Sequence, residues 1–330
     1  MAQPAALTSR SFASHGGYLL AGFGAVLFAT KGILIKLAYG DGSAIAVDAV
    51  TLLALRMCFA MPVYVVIGAM AWRDRVSEGG PLPTGRLVMF ASLVGLLGYY
   101  LSSYLDFQGL VYLTAQFERL ILYTYPVFVM ILGALFFGGR LTRIGILALI
   151  LSYAGVATIF LDRNAVHGHD IALGVALVLG SAFTFALYQL LAKSLITRVG
   201  SRFFTCIAMT SASIGVLTHF FAWKGLAALF ALPAHIIGIG ALLGVFSTVL
   251  PSFMLNAALE RIGAEAVAMI GTLSPAATIV MAIFILGEPF TLTDALGTVL
   301  VIAGVGLFTW HDGRRRAMIM ANENAVLGDT

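Results

Sequence analysis

The sequence predicts an all-α membrane protein whose ten transmembrane helices form two inverted five-helix repeats. Three observations carry that prediction. Hydrophobic residues make up 60% of the chain and charged residues only 10%, with a mean hydropathy of +1.00. Water cannot solvate so much apolar surface, whereas a bilayer can. The apolar residues gather into ten stretches, each about long enough to cross a hydrocarbon core of roughly 30 Å. The second half of the chain also repeats the first.

The stretches run 18–38, 50–71, 86–105, 116–137, 142–161, 171–192, 203–223, 235–258, 264–286 and 293–311. They are read as helices because backbone polar groups in lipid must be satisfied within the segment. The 36 glycines fit this reading, since small residues let membrane helices pack closely. The first stretch is too long for the apolar core of a cleavable signal, and no cleavage pattern precedes it. Residues 1–17 and 312–330 are expected to be mobile cytoplasmic tails.

Orientation follows from the basic residues between stretches. One side carries Arg10, Arg73, Arg75, Arg86, Arg140, Arg143, Lys193, Arg198, Arg202, Arg261, Arg314, Arg315 and Arg316; the other carries Arg163 and Lys224. Positive loops stay inside, so both termini are expected in the cytoplasm. The net charge of +4 then reflects topology and needs no nucleic-acid partner. Cys58 and Cys206 fall within stretches and read as small buried apolar residues.

The repeat is visible at a shift of 149 residues. Gly95 falls on Gly244, Leu101 on Leu250, Leu110 on Leu259, Ala115 on Ala264, Pro126 on Pro275, Gly138 on Gly287, Thr142 on Thr291 and Gly155 on Gly304. At a shift of 157, Phe28 falls on Phe185, Ala29 on Ala186 and Lys36 on Lys193. Shared composition does not explain coincident prolines and glycines across successive helices. Residues 18–161 and 171–311 therefore form two units of five helices. An odd number inverts the second unit, an arrangement that recurs in secondary transporters.

At these residues the chain resembles the EamA family of the drug/metabolite transporter superfamily. Phe28-Ala-Thr-Lys-Gly-Ile-Leu-Ile-Lys36 resembles the family's opening helix, and Leu53-Ala-Leu-Arg56 its second. Tyr125-Pro126 and Ser274-Pro275 match the prolines of helices four and nine, and Gly287-Glu288-Pro289 with Thr291 matches the end of helix nine. Gly155 and Gly304 match the glycines of helices five and ten. The first half departs from the pattern at Gly138-Gly139-Arg140, where Gly-Glu is common. Glu118-Arg119-Leu-Ile-Leu resembles a bacterial subgroup. The resemblance implies helices 1, 3, 4, 6, 8 and 9 around a central cavity, with helices 5 and 10 as supports. It also implies transport of small metabolites such as amino acids, often outward across a bacterial inner membrane.

The candidate site follows from polar residues that the bilayer penalises. Lys31, Arg56, Glu118 and Arg119 lie inside stretches at similar depth, so Lys31, Arg56 and Glu118 are expected to approach one another. Two roles stand open for Glu118: a proton or substrate-amine site, or a structural ion pair. Arg119 is turned about 100° away and reads as an interface or snorkelling residue. Lys36 and Lys193 read as snorkelling to opposite surfaces. Tyr99, Tyr100 and Ser103 on helix three, Tyr188 and Gln189 on helix six, Asn256 on helix eight, and Thr272 and Ser274 on helix nine are further candidates for binding or coupling. Tyr104 and Asp106 read as residues of the membrane–water belt. Pro126 and Pro275 are candidate hinge or gate residues, with packing kinks as the other reading. His219 reads as a satisfied buried or interfacial histidine.

No catalytic motif or phosphate-binding loop is present, and no cofactor or metal is implied. His167 and His169 make a weak metal pair. The expected partners are a small-molecule substrate and the lipid bilayer. The sequence points to a secondary-active carrier working by alternating access, an exporter of amino acids or related compounds. The alternatives are an uptake carrier, a nucleotide-sugar-type exchanger, or a non-catalytic membrane subunit handling lipid-linked groups.

Overall fold

The computed structural model describes residues 5–40, 47–79, 82–136, 138, 142–162, 170–271 and 273–328. Every regular element among them is helical. Ten helical segments follow one another: α1 Ala5–Tyr39, α2 Ala49–Ser77, α3 Gly85–Tyr112, α4 Ala115–Phe136, α5 Arg143–Leu161, α6 Ile171–Val199, α7 Ser201–Lys224, α8 at 234–271, α9 Leu273–Leu286 and α10 Leu292–Gly328. Among the described residues, nine helices are long and apolar enough to cross a membrane; α9 is apolar but shorter.

Two boundaries differ from the sequence reading. The segments expected as tails are helical, since α1 starts at Ala5 and α10 runs to Gly328. Good helix formers and the absence of proline let the helices run on. The ninth stretch, expected from residue 264, is divided. Its first part continues α8 to Gly271, and α9 begins at Leu273. Pro275 explains the restart: it has no N–H to donate, which costs nothing in the first turn of a helix. Pro126 plays the same part in α4. Its helix is interrupted at Tyr123–Thr124 and resumes at Tyr125.

Contacts between helices follow a pattern that exchange of the two halves preserves. α1 packs on α8 and α9, as α6 packs on α3 and α4. α2 packs on α8, as α7 packs on α3; α2 and α7 pack on each other, and so do α5 and α10. Helical irregularities obey the same exchange. A π-helical turn at Leu96–Leu101 in α3 has its counterpart at Val245–Val249 in α8, offset by the shift of the sequence repeat. Gly138 and Gly287, also repeat mates, both take a left-handed backbone, with φ of +68° and +66°. That conformation costs glycine little and other residues more. At the α5–α10 contact, a Cβ on Gly155 would stand 2.6 Å from the carbonyl oxygen of Gly297. Only glycine permits that approach.

The core is built by α1, α2, α3, α7 and α8 around Met57, Tyr64, Phe107 and Phe220. Large apolar side chains such as Phe23, Leu161 and Phe284 point outward, as a protein solvated by lipid requires.

α2 begins at a well-formed cap. Asp48 accepts from the Thr51 N–H at 3.1 Å and from its hydroxyl, and pairs with Lys224 at 2.9 Å. Burial pushes the Asp48 carboxyl up, but the Thr51 and Lys224 contacts outweigh this and hold it below the ordinary value of 3.8. The stability it contributes is complete above that value and is lost as the pH falls through the lower folded value. Asp48→Ala is expected to cost about 1 kcal/mol. A lower unfolding temperature in detergent checks this, and the deficit should shrink in acid.

Candidate functional site

The chain buries a charged cluster where α1, α3 and α4 meet. Lys31 of α1, Asp106 of α3 and Glu118 of α4 are 7%, 2% and 0% exposed. The Lys31 ammonium lies 2.5 Å from Asp106 Oδ2 and 3.9 Å from Glu118 Oε1. Arg119, also buried, donates to the Ser274 hydroxyl of α9. Its guanidinium stands 5.1 Å from the centre of the Phe28 ring on α1. The cluster therefore joins three helices of the first half to one of the second.

Local structure explains the placement of Glu118 and Arg119. α4 starts at Ala115 because Thr114 caps it, accepting from the Phe117 N–H at 3.2 Å. Glu288 supplies a second cap from the loop after α9. It accepts from the N–H groups of Ala115 at 2.7 Å and Gln116 at 3.2 Å. This fixes Glu118 and Arg119 in the first two turns, facing α1. Gly32 of α1 leaves room, since a Cβ there would lie 3.4 Å from Glu118 Oε2.

Fully ionised, the cluster sets two cations, Lys31 and Arg119, against two carboxylates, Asp106 and Glu118, and the strain lies between the carboxylates. Lys31 pairs with two carboxylates that lie within hydrogen-bonding reach of each other. Among the described residues, nothing donates to Asp106 Oδ1 or to either Glu118 oxygen. Two ionised carboxylates cannot hydrogen-bond, and buried acceptors without donors are costly. One proton held between Asp106 and Glu118 removes both difficulties, as in any close carboxyl pair.

The remaining candidates fall into separate groups. Arg56 does not join Glu118. Its Nε donates to Thr248 Oγ1 of α8 at 2.8 Å, and its Nη1 donates to Ser103 at 3.3 Å. Shared depth did not imply contact, because α2 reaches the centre between α3 and α8. Tyr188 donates to the Tyr99 hydroxyl at 3.0 Å, and Gln189 hydrogen-bonds Tyr125. Tyr100 turns away from this group to the Nδ1 of His219 at 2.8 Å, so His219 is partnered. Thr272, His167 and His169 lie outside the described residues, as does the side chain of Asn256.

Three sequence readings are corrected here. Asp106 is no belt residue, because it is buried against Lys31. The signal was available: Tyr99, Ser103 and Asp106 recur at i, i+4 and i+7 along one helical face. Lys36 does not snorkel. It turns back to the carbonyls that end α3, at 3.3 Å from Leu110 and 3.1 Å from Leu113. Arg119 does not leave the core either. Glu288 went unread as a functional residue, since its partners are backbone N–H groups 172 and 173 residues away.

Comparison with known proteins decides the family. The model of the EamA-like transporter family matches residues 15–161 and again residues 172–310. The chain belongs to the EamA-like transporter family. As such it is a multi-pass membrane transporter. Among its relatives, the uncharacterized transporter YcbK of Bacillus subtilis is 29% identical over 287 residues, covering 83% of this chain and 86% of its own. The uncharacterized transporter sll1319 of Synechocystis is 23% identical, covering 89% and 93%. A solved crystal structure superimposes with a TM-score of 0.54 at 17% identity, covering 92% of this EamA-like chain and 98% of its own; it shares the fold.

Proposed function

We propose that this EamA-like protein is a secondary-active exporter of small zwitterionic metabolites, amino acids or related compounds, working by alternating access. The observation that carries the reading is the buried cluster of Lys31, Asp106, Glu118 and Arg119. It offers both signs of charge within one water-poor site. An amino acid needs that pairing: a carboxylate for the Arg119–Lys31 side and an ammonium for the Asp106–Glu118 side. Burying such charges costs folding energy, and membrane proteins keep them where substrates or ions pass.

Two inverted five-helix units, residues 18–161 and 171–311, supply the machinery. The exchange-symmetric helix contacts, the paired π-turns and the twofold match to one family model support them. The arginine-rich end of the bundle faces the cytoplasm, with both termini. The end bearing Tyr39, Leu113 and Glu288 then faces outward. Pro126 and Pro275 mark the points where α4 and α9 restart, and these breaks are the hinges. These features support carrier action at a site between the inverted units. A proton held by Asp106 and Glu118 couples the cycle to the proton gradient.

The reading is tested by expressing the protein in a host challenged with a panel of amino acids, analogues and antimicrobials. Raised tolerance with lower cellular accumulation of the same zwitterion is expected. Unchanged accumulation across the zwitterionic members would sink the substrate class. Reporter fusions after Arg316 should be active only in the cytoplasmic form.

A further inference from the structure

A second site lies on the flank of the bundle, away from the charged cluster. α2, α3 and α7 enclose a groove of about 330 Å³ lined by Val65, Gly68, Trp72, Val88 and Phe203. That volume is in the range of roughly 300–1,000 Å³ usual for ligand sites. The groove is open rather than internal, because Val65 and Trp72 on its wall are 44% and 42% exposed. Two of its polar members satisfy each other: Ser211 donates to Ser92 at 2.9 Å.

The groove has one charged end. Val65, Gly68, Trp72 and Arg75 recur every three or four residues, so they share one face of α2. Arg75 stands over the ring of Phe203 at 5.6 Å, at the mouth of the groove. Arg202 begins α7 beside it and reaches Asp74 at 3.9 Å, with both side chains more than half exposed. Arg73 and Arg86 are exposed nearby in the chain, against Asp74 and Glu78. Trp72 borders the groove at this end, as an interfacial tryptophan does at the headgroup level. From Trp72 to Val65 the groove runs about 10 Å along the helix axis, into the hydrocarbon layer.

We propose that this groove is a binding site for an anionic phospholipid of the leaflet at the arginine-rich end. Its phosphate sits between Arg75 and Arg202, and one acyl chain lies along Val65, Gly68 and Val88. Charge complementarity selects the lipid. A zwitterionic headgroup gains less from the two guanidinium groups, whereas each basic residue near an anionic surface is worth about fivefold in affinity. The acyl chain explains why an open groove in the membrane is apolar along its length. The bound lipid would brace α2 against α7, one of the contacts that join the two halves.

The test is retention of lipid by the full chain purified in mild detergent, read by native mass spectrometry. Phosphatidylglycerol is expected to stay bound through washing, and phosphatidylcholine to be lost. R75Q/R202Q should weaken phosphatidylglycerol retention about 25-fold. Val65→Trp keeps both arginines and fills the groove from its exposed wall, and it should also remove the lipid. Nanodiscs of phosphatidylglycerol should raise the unfolding temperature of the parent protein, relative to phosphatidylcholine, more than that of either variant. Equal retention of the two lipids by the parent, or retention unchanged in V65W, overturns the proposal.

Discussion

Glu118→Gln is expected to abolish proton-dependent transport while leaving the protein folded and inserted. The side chain replaces a carboxyl group that faces Lys31, Asp106 and Arg119, with Gly32 behind it. Arg56 and Tyr39 act on the same cluster through Asp106. Glutamine has the shape of the protonated acid and can donate to Asp106 as the shared proton does. Lys31 and Asp106 then remain a neutral pair at 2.5 Å, and Arg119 keeps its contacts with Ser274 and the Phe28 ring. What disappears is the ability to release the proton. Transport driven by a pH gradient should fall to background in proteoliposomes, and substrate exchange without a gradient should lose its pH dependence. Asp106→Asn should behave differently. It strips Lys31 of its near partner in a buried site, a loss of about 3–5 kcal/mol, so yield and unfolding temperature should drop. A Glu118→Gln protein whose transport keeps the pH profile of the parent would leave only a structural role for this carboxyl.

Most of the fold was legible because bilayer physics is coarse. Length, hydropathy and loop charge locate helices, and those signals survive in any single sequence. The residues that define the site were legible by type but not by partner. Lys31, Glu118 and Arg56 stood out because the membrane penalises them, yet Arg56 pairs with Thr248 and Ser103, 192 and 47 residues away. Asp106 was hidden by its position near a helix end, where polar residues are ordinary. In the sequence Pro126 and Pro275 read as hinges or packing kinks within continuous spans, whereas the helices break and restart there. Proline is unfavourable in a helix interior, where an N–H is missed and the ring meets the preceding turn; both prolines occupy first turns, where neither applies. Glu288 was hardest to read because it binds backbone, and backbone partners leave no trace in residue identity.

Glu288 also controls the end of the molecule to which it belongs. Its carboxylate accepts both leading N–H groups of α4, while Gln116 donates back to the Pro289 carbonyl at 3.2 Å. Lys36 closes the neighbouring turn by binding the last carbonyls of α3, and Tyr39 donates to the Phe107 carbonyl at 2.9 Å. α1, α3, α4 and the α9–α10 loop are thereby tied together above the charged cluster. The Glu288 and Lys36 bonds satisfy groups at the start of α4 and the end of α3 that have no partner within the helix. The Glu288 and Gln116 bonds can exist only while α9 stays against α4, since separating the two helices breaks them together. Each hydrogen bond to a charged group is worth about 1.5–3 kcal/mol. Removing two of them moves a balanced open–closed equilibrium by at least about a hundredfold. Glu288→Ala is therefore expected to hold the protein open at the Glu288 end. A cysteine at Ser103, on the α3 face that carries Asp106, should react with an impermeant maleimide added from that side at least ten times faster in the Glu288→Ala background. Glu288→Gln, which keeps two acceptor lone pairs on one oxygen but not the charge, should fall between. If all three proteins label at one rate, the Glu288 contacts are helix caps that do not govern access, and α4 moves with α9 through the whole cycle.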